Sequence, residues 1–260
     1  MGKKTALISA RGGQGVTLSA AYLAAAAAER GQPVTAVDLC GFSGMLAFAL
    51  GCGEAVLMNL RDAAVGACEP EDALVACASG LRLMPAPMFA AAQTPPYAVE
   101  IRRIVETLSR RGDVIADLPA GSLPDCGAVA CFDTIVICSR ADRRSLQYAA
   151  ALRRLLGQVR AEGQPSAQRC EFRLLLTDFS PDCVKEAAFA DSLDECIDTV
   201  GARLLGVLPH DLSAAQRALS GQPPDRFCGL MRSARDAVRR MDGEKVPLDD
   251  KKSFGAIWKK

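Results

Sequence analysis

The 260-residue chain contains a single histidine, few aromatic residues and no C-x-x-C pair among its eleven cysteines. A zinc site built from these cysteines would therefore need ligands from distant segments, and the odd count does not suggest a disulfide framework. Scattered cysteines in a chain of this size are typical of reduced thiols that pack as small hydrophobic side chains. We therefore expect neither a structural zinc cluster nor a set of disulfides.

The chain also lacks a large excess of positive or negative charge, and it lacks long apolar runs. The formal net charge is +1, so no polybasic field indicates nucleic acid, and no nucleic-acid partner is expected. No apolar run reaches the roughly 20 residues of a membrane-spanning helix. The start, Met1 to Lys4, lacks the apolar core of a signal peptide. These absences predict a cytoplasmic protein.

Half of the chain is hydrophobic, and its apolar, β-prone runs alternate with amphipathic segments. This alternation predicts an α/β fold with a doubly wound, mostly parallel sheet. Residues 1–241 are predicted to form one domain and residues 242–252 a polar tether. The predicted strands are Thr5–Ser9, Val34–Asp38, Leu81–Met84, Val114–Asp117, Thr134–Cys138, Phe172–Thr177 and Leu204–Leu208. The predicted helices include Leu18–Arg30, Val99–Arg111, Arg143–Leu156, Asp182–Val200, Ser213–Ser220 and Phe227–Met241.

A glycine-rich loop separates the first predicted strand from the first predicted helix. Its backbone N–H groups and the following helix N-terminus together favour binding of an anion. Arg11 directly precedes two glycines, so it is either a solvated loop cation or a phosphate contact. The candidate nucleotide-binding residues of this loop are Arg11, Gly12, Gly13, Gln14, Gly15, Val16 and Thr17.

Two aspartates end predicted strands. Asp38 and Asp117 each follow an apolar run, and ligands of open α/β sheets bind at the carboxyl ends of the strands. Each alone could be an ordinary turn residue. Together they are predicted to be catalytic residues and, with Thr17, ligands for Mg²⁺.

The loop and its neighbours resemble the MinD/ParA family of P-loop ATPases. The resemblance includes the segment after Asp38, the strand ending at Asp117, and the later segments Leu174–Thr177 and Leu205–Pro209. It implies ATP or ADP with Mg²⁺ as the cofactor, and a homodimer. It also implies that Gly121 approaches the γ-phosphate and that the loop at Pro209 flanks the adenine.

Three positions depart from the family's pattern. Arg11 replaces an opening lysine, Val16 replaces the lysine before Thr17, and Cys40 replaces an acidic residue. Loss of one well-placed electrostatic donor typically costs about 2.7–4 kcal/mol of transition-state stabilisation. We therefore expect weak or absent ATP hydrolysis. A slow but genuine ATPase, in which Arg11 compensates, stays an alternative, and a ParA-like DNA-partitioning protein is a further one.

The last eight residues, 253–260, carry an apolar face if they are helical, because Phe254, Ile257 and Trp258 are spaced for one side. Lys259 and Lys260 follow. The resemblance implies a membrane-targeting helix here, although a frayed terminus or a segment packed on the domain are alternatives. The expected function is spatial regulation of division-site placement at the inner face of the cell membrane, with partners of the Min type. A role in flagellar placement is the near alternative.

Overall fold

One sheet organises the computed structural model, which describes residues 1–40, 44–87, 98–118, 126–163, 170–180, 186 and 188–248. Within these residues the strands run almost entirely parallel. They are β1 (Lys4–Ile8), β2 (Val34–Asp38), β3 (Val75–Ala76), β4 (Leu81–Met84), β5 (Asp113–Asp117), β6 (Thr134–Ser139), β7 (Glu171–Phe179) and β8 (Arg203–Pro209).

The strand order is β3-β4-β2-β5-β1-β6-β7-β8, and β3, at one edge, is antiparallel to its neighbour. Strand β1 therefore lies in the middle, between β5 and β6. The chain extends the sheet outward from β1 in both directions, as a doubly wound fold requires. The predicted α/β fold with a mostly parallel sheet is confirmed.

Helices cover both faces of the sheet. The described helices are α1 (Val16–Ala28), α2 (Met45–Ala49), α3 (Leu60–Ala64), α4 (Ala98–Ser109), α5 (Cys126–Val129), α6 (Arg143–Gly163), α7 (Leu193–Val200), α8 (Leu212–Leu219) and α9 (Gly229–Met241). Helices α1, α2, α8 and α9 contribute to one hydrophobic cluster, and α3 to α7 contribute to a second. Buried alanines of α1 allow it to pack closely against the sheet and against α9, which also contacts β8.

The predicted helix Asp182–Val200 is wrong at the described residues 186 and 188–192, which are not helical. Helix α7 begins at Leu193, after Ser192, whose hydroxyl accepts a hydrogen bond from the Glu195 backbone N–H at 3.0 Å. Upstream, Phe189 pairs with Asp142 in an isolated antiparallel bridge. A serine at this position favours the start of a helix, and a prediction from amphipathic spacing alone does not use that signal.

The start of the predicted tether contacts the domain. Asp242 forms ion pairs with Lys3 at 2.7 Å and with Arg30 at 3.1 Å. The Arg240 guanidinium donates hydrogen bonds to the carbonyl oxygens of Val246 and Pro247. This segment therefore passes along the amino ends of the parallel strands, opposite the glycine loop.

Across the part of the chain that the structure describes, no helix combines the length and the apolar character that crossing a bilayer would take. The predicted membrane segment, with Phe254, Ile257, Trp258, Lys259 and Lys260, lies outside the described residues, as does Gly121.

Candidate functional site

The sheet register brings the predicted site residues to the carboxyl ends of the parallel strands, which we call the carboxyl edge of the sheet. Leu7 of β1 pairs with Asp117 of β5, and Asp117 pairs with Asp38 of β2. The glycine loop leaves the carboxyl end of β1, one residue beyond this row. The loop and both aspartates therefore meet at the carboxyl edge, as the sequence predicted.

The backbone of the loop explains its glycines. Gly13 and Gly15 have φ values of 76° and 70°, in the left-handed region that disfavours side chains. Helix α1 follows at Val16, and its N-cap residue, Gly15, has no side chain to cap it. The first N–H groups of α1 have no partner inside the helix, and they can bind an anion.

Gln14 fastens the loop to the next strands. The side chain is only 4% exposed, and its Oε1 accepts a hydrogen bond from the Arg140 backbone N–H at 2.8 Å. Its backbone carbonyl accepts a bond from the Thr177 hydroxyl at 2.9 Å. Gln14, predicted as a nucleotide contact, thus connects the loop to the ends of β6 and β7.

Arg11 is directed towards α6. Its guanidinium donates a hydrogen bond to the Ser145 hydroxyl at 2.7 Å and lies 5.8 Å from the centre of the Tyr148 ring. Arg11 is exposed at its loop position, so it can exchange these contacts for others.

Lysine is absent from the carboxyl edge in the described part of the chain. Val16 is partly buried and packs against the cluster that contains α1. Lys3 and Lys4 stand where β1 begins, and Lys245 follows Glu244, which pairs with Arg30. All three described lysines are therefore at the opposite edge of the sheet.

Both site aspartates are buried. Asp38 is fully buried and accepts hydrogen bonds from the backbone N–H groups of Cys40 at 2.9 Å and Leu46 at 3.4 Å. Burial raises its pKa to about 6, although these two bonds oppose the shift.

Asp117 is 1% exposed, and among the described residues no donor makes a well-formed hydrogen bond to either carboxylate oxygen. Burial first, and then the charge of Asp38, raise the pKa of Asp117 to about 7, while Thr17 lowers it. Two adjacent buried carboxylates without a cation favour retention of a proton.

Cys40 completes a compact group with these aspartates. Its thiol lies 3.8 Å from the backbone carbonyl oxygen of Asp117. The thiol sulfur and one carboxylate oxygen from each of Asp38 and Asp117 all lie within 4.8 Å of one another. Burial, together with both carboxylates, raises the pKa of the Cys40 thiol.

A second polar cluster at this edge was not predicted. Arg140, Asp178 and His210 follow β6, lie in β7 and follow β8, respectively. The Asp178 carboxylate pairs with the Arg140 guanidinium and lies 2.5 Å from His210 Nδ1. Asp178 is also the one described non-glycine residue with a positive φ, 54°. A polar residue at the end of each apolar run was the available signal, since such runs end at a common edge.

The donors at this edge suit magnesium only in part. The unpartnered oxygens of Asp117, with the Thr17 hydroxyl nearby, are hard ligands of the kind that Mg²⁺ prefers. The glycine loop offers N–H groups to a phosphate. The Cys40 thiol is a soft donor that does not match magnesium.

No protein-family model matches the chain. Curated relatives nevertheless match it over almost its full length. The septum site-determining protein MinD of Bacillus subtilis is 27% identical over 257 residues, which cover 95% of this chain and 92% of the relative. MinD of Buchnera aphidicola is 26% identical over 261 residues, covering 95% and 94%.

Solved structures share the fold. A chain of the MinC:MinD cell division protein complex of Aquifex aeolicus aligns with a TM-score of 0.79 and 22% identity, covering 95% of this chain and 98% of that chain. MinD of Pyrococcus horikoshii, complexed with Mg-ADP, has a TM-score of 0.79 and 19% identity, with coverage of 95% and 100%. A ParA family ATPase of Chlorobium tepidum has a TM-score of 0.74 and 20% identity, with coverage of 91% and 97%.

At these identities the structural likeness establishes the fold. The sequence similarity to MinD, which extends over nearly the full length of the chain, supports the same assignment. The strand–glycine loop–helix unit and the aspartate-ended strands occupy one edge of that fold. Together these observations show that the chain has the fold of the MinD and ParA family ATPases and is similar, over nearly its full length, to septum site-determining MinD proteins.

Proposed function

We propose that this chain is a MinD-like spatial regulator of division-site placement at the inner face of the cell membrane, with weak or lost ATP hydrolysis. The observation that carries the proposal is Val16 at the lysine position of the phosphate loop, with no described lysine at that edge. The division role is supported by the names of the relatives, which are septum site-determining proteins.

Nucleotide binding is proposed to rest on the loop backbone. Gly12, Gly13 and Gly15 would present N–H groups to phosphate, while Gly121 and Pro209 would lie near the γ-phosphate and the base. A Cβ placed on Gly12 or Gly13 meets nothing within 4 Å, so the space above the loop is open. The Mg-ADP complex of the Pyrococcus horikoshii relative supports this choice of ligand.

If magnesium nucleotide is bound, Thr17, Asp38 and Asp117 are the residues proposed to hold the ion or its waters, and the ion would supply charge neutralisation at the phosphates. The buried and unpartnered oxygens of Asp117 support that role. The fit is incomplete, because the position that usually supplies a further cation is an apolar valine.

Hydrolysis is proposed to be weak because neither nearby arginine is placed as the lost lysine would be. Arg11 is bonded to Ser145, and Arg140 is paired with Asp178. Charge that develops on the β- and γ-phosphates therefore lacks a positioned donor. Without that donor the rate is expected to fall roughly a hundred- to a thousand-fold.

The alternative is a slow ATPase in which Arg11 supplies the missing charge. Its exposure favours this candidate, and among the described residues its guanidinium donates one hydrogen bond, to Ser145, so it can leave α6 for a phosphate. The phosphate would belong to the same chain or to a second copy in a homodimer.

Membrane and protein partners complete the proposal. Residues 253–260, with Phe254, Ile257, Trp258, Lys259 and Lys260, are proposed to bind an anionic membrane, with residues 242–252 as the connection. Partners of the Min type are proposed because a relative from Aquifex aeolicus is known in a MinC:MinD complex.

Calorimetric titration of purified, nucleotide-free protein with ATP, with and without Mg²⁺, tests the nucleotide proposal. We expect measurable but weak binding that Val16→Lys tightens. Val16→Leu is the matched control, because it changes shape without adding charge. Tight ATP binding by the unmodified protein, unaltered by Val16→Lys, would contradict the proposed role of this position.

A further inference from the structure

We propose that Asp38, Cys40 and Asp117 form a site for a thiophilic divalent metal such as Zn²⁺, which binds in the absence of nucleotide. The magnesium expected from the resemblance would be held by oxygen atoms and by a bound nucleotide. The proposed site uses a sulfur donor instead, and its occupancy does not depend on the phosphate loop.

The three donors are already assembled. Asp38 ends β2, Asp117 pairs with it at the end of β5, and Cys40 lies two residues beyond Asp38. One donor atom from each lies within 4.8 Å of the others. Zinc bonds of about 2.0–2.2 Å to oxygen and 2.3 Å to sulfur would draw the three side chains inward by small rotations.

The site has buried negative charge with no described cation beside it. The ion pairs of the described residues include neither Asp38 nor Asp117, and both side chains are at most 1% exposed. Both Asp117 oxygens are unpartnered among the described residues. A buried carboxylate is stable only when it is paired, protonated or bound to a metal. A divalent ion satisfies all three donors together.

The sulfur selects the class of metal. Mg²⁺ favours octahedral oxygen ligands and retains its waters, whereas thiolate favours Zn²⁺ and related transition ions. Three protein donors leave a fourth tetrahedral position, which water would fill. Binding releases the thiol proton to solvent, so the thiolate is the ligand.

Cobalt titration of nucleotide-free protein tests the site, because Co²⁺ substitutes for Zn²⁺ and its bond to a thiolate absorbs in the near ultraviolet. We expect one equivalent to bind with such a band, Zn²⁺ to displace it and excess Mg²⁺ to leave it intact. Cys40→Ser should abolish the band. Asp117→Asn should keep it but weaken affinity at least about tenfold.

Cys77→Ser is the matched control. Cys77 is partly buried like Cys40, and its sulfur lies 3.0 Å from that of Cys52, so these two described thiols could themselves attract a metal. We expect this variant to bind cobalt as the unmodified protein does. A band that persists in Cys40→Ser, or that is lost in Cys77→Ser, would overturn the proposal.

Zinc X-ray absorption on the unmodified protein gives an answer even if a variant fails to fold. We expect one sulfur and otherwise oxygen ligands around the metal. No sulfur, or two or more, would overturn the assignment. Because these experiments contain no nucleotide, their outcome is independent of the outcome for ATP binding and hydrolysis.

Discussion

At the scale of single residues, the site combines an intact backbone with altered side chains. Gly13 and Gly15 keep the left-handed conformations that shape the loop. Val16 and Cys40 replace the charged groups that the family resemblance predicts at these positions. We therefore expect a loop that can bind the phosphates of ATP without stabilising the transition state of their hydrolysis.

Replacing Gln14 by alanine should destabilise the protein. The side chain is buried, and its loss leaves the Arg140 N–H without its acceptor. We expect the free energy of unfolding to fall by about 1–3 kcal/mol, measured by urea denaturation. The exposed Gln216→Ala is the control and should change it by less than about 0.5 kcal/mol. Equal effects of the two substitutions would show that Gln14 does not anchor the loop.

The two buried aspartates should make stability depend on pH. Their folded pKa values, about 6 and about 7, exceed the unfolded value near 3.8. The folded state therefore holds more protons across this interval, and in chelator the free energy of unfolding should fall as pH rises from about 4 to 7. Asp117→Asn should flatten this dependence, whereas the exposed Asp198→Asn should not. An unchanged slope in Asp117→Asn would show that Asp117 does not titrate in this range.

At the scale of elements, the strands were the most predictable part. Strands β2 and β4 begin and end at the predicted residues, because each is a short run of mainly apolar, β-prone residues. Strand β3, with two residues, was missed, because it is too short to show a period.

The Arg140–Asp178–His210 cluster was also missed. Its members are distant in sequence and meet only because β6, β7 and β8 are neighbours in the sheet. The loop, Asp38 and Asp117 could be predicted, because the resemblance and the strand ends indicated the same edge. The closeness of Cys40 to both aspartates required the register of β2 and β5.

Helix α7 provides a test at this scale. The Ser192 hydroxyl accepts a hydrogen bond from the Glu195 backbone N–H, so one otherwise unpaired donor of the first helical turn is satisfied. Ser192→Ala should reduce the free energy of unfolding by about 1 kcal/mol, measured by thermal or urea denaturation. The exposed Ser213→Ala, whose hydroxyl bonds only to Asp211 among the described partners, is the control. No difference between the variants would show that the cap does not stabilise α7.

At the scale of the whole molecule, nucleotide and membrane contacts are proposed at opposite ends of the chain. The glycine loop lies at the carboxyl edge of the sheet, while Asp242 holds the start of the C-terminal segment at the other edge. A membrane-bound chain would therefore have its described C-terminal residues on the side away from the loop.

Deletion of residues 253–260 should abolish co-sedimentation with anionic vesicles. Buried apolar side chains contribute about 1.5–3 kcal/mol each, and nearby lysines about 1 kcal/mol each, before ordering costs. Binding should therefore be reversible and weaken with salt. Trp258, the sole tryptophan, should shift its emission to the blue with vesicles. The control Trp258→Phe should still sediment. Unchanged emission, with sedimentation of the truncated chain, would contradict the membrane proposal.

The most direct test of the central claim is steady-state phosphate release from ATP and Mg²⁺ by the unmodified protein and by Val16→Lys. We expect release near background for the unmodified protein and a clear increase in Val16→Lys, since the lysine restores a donor to the β- and γ-phosphates. Val16→Leu should stay near background. Robust magnesium-dependent release by the unmodified protein, abolished by Asp117→Ala, would contradict the account.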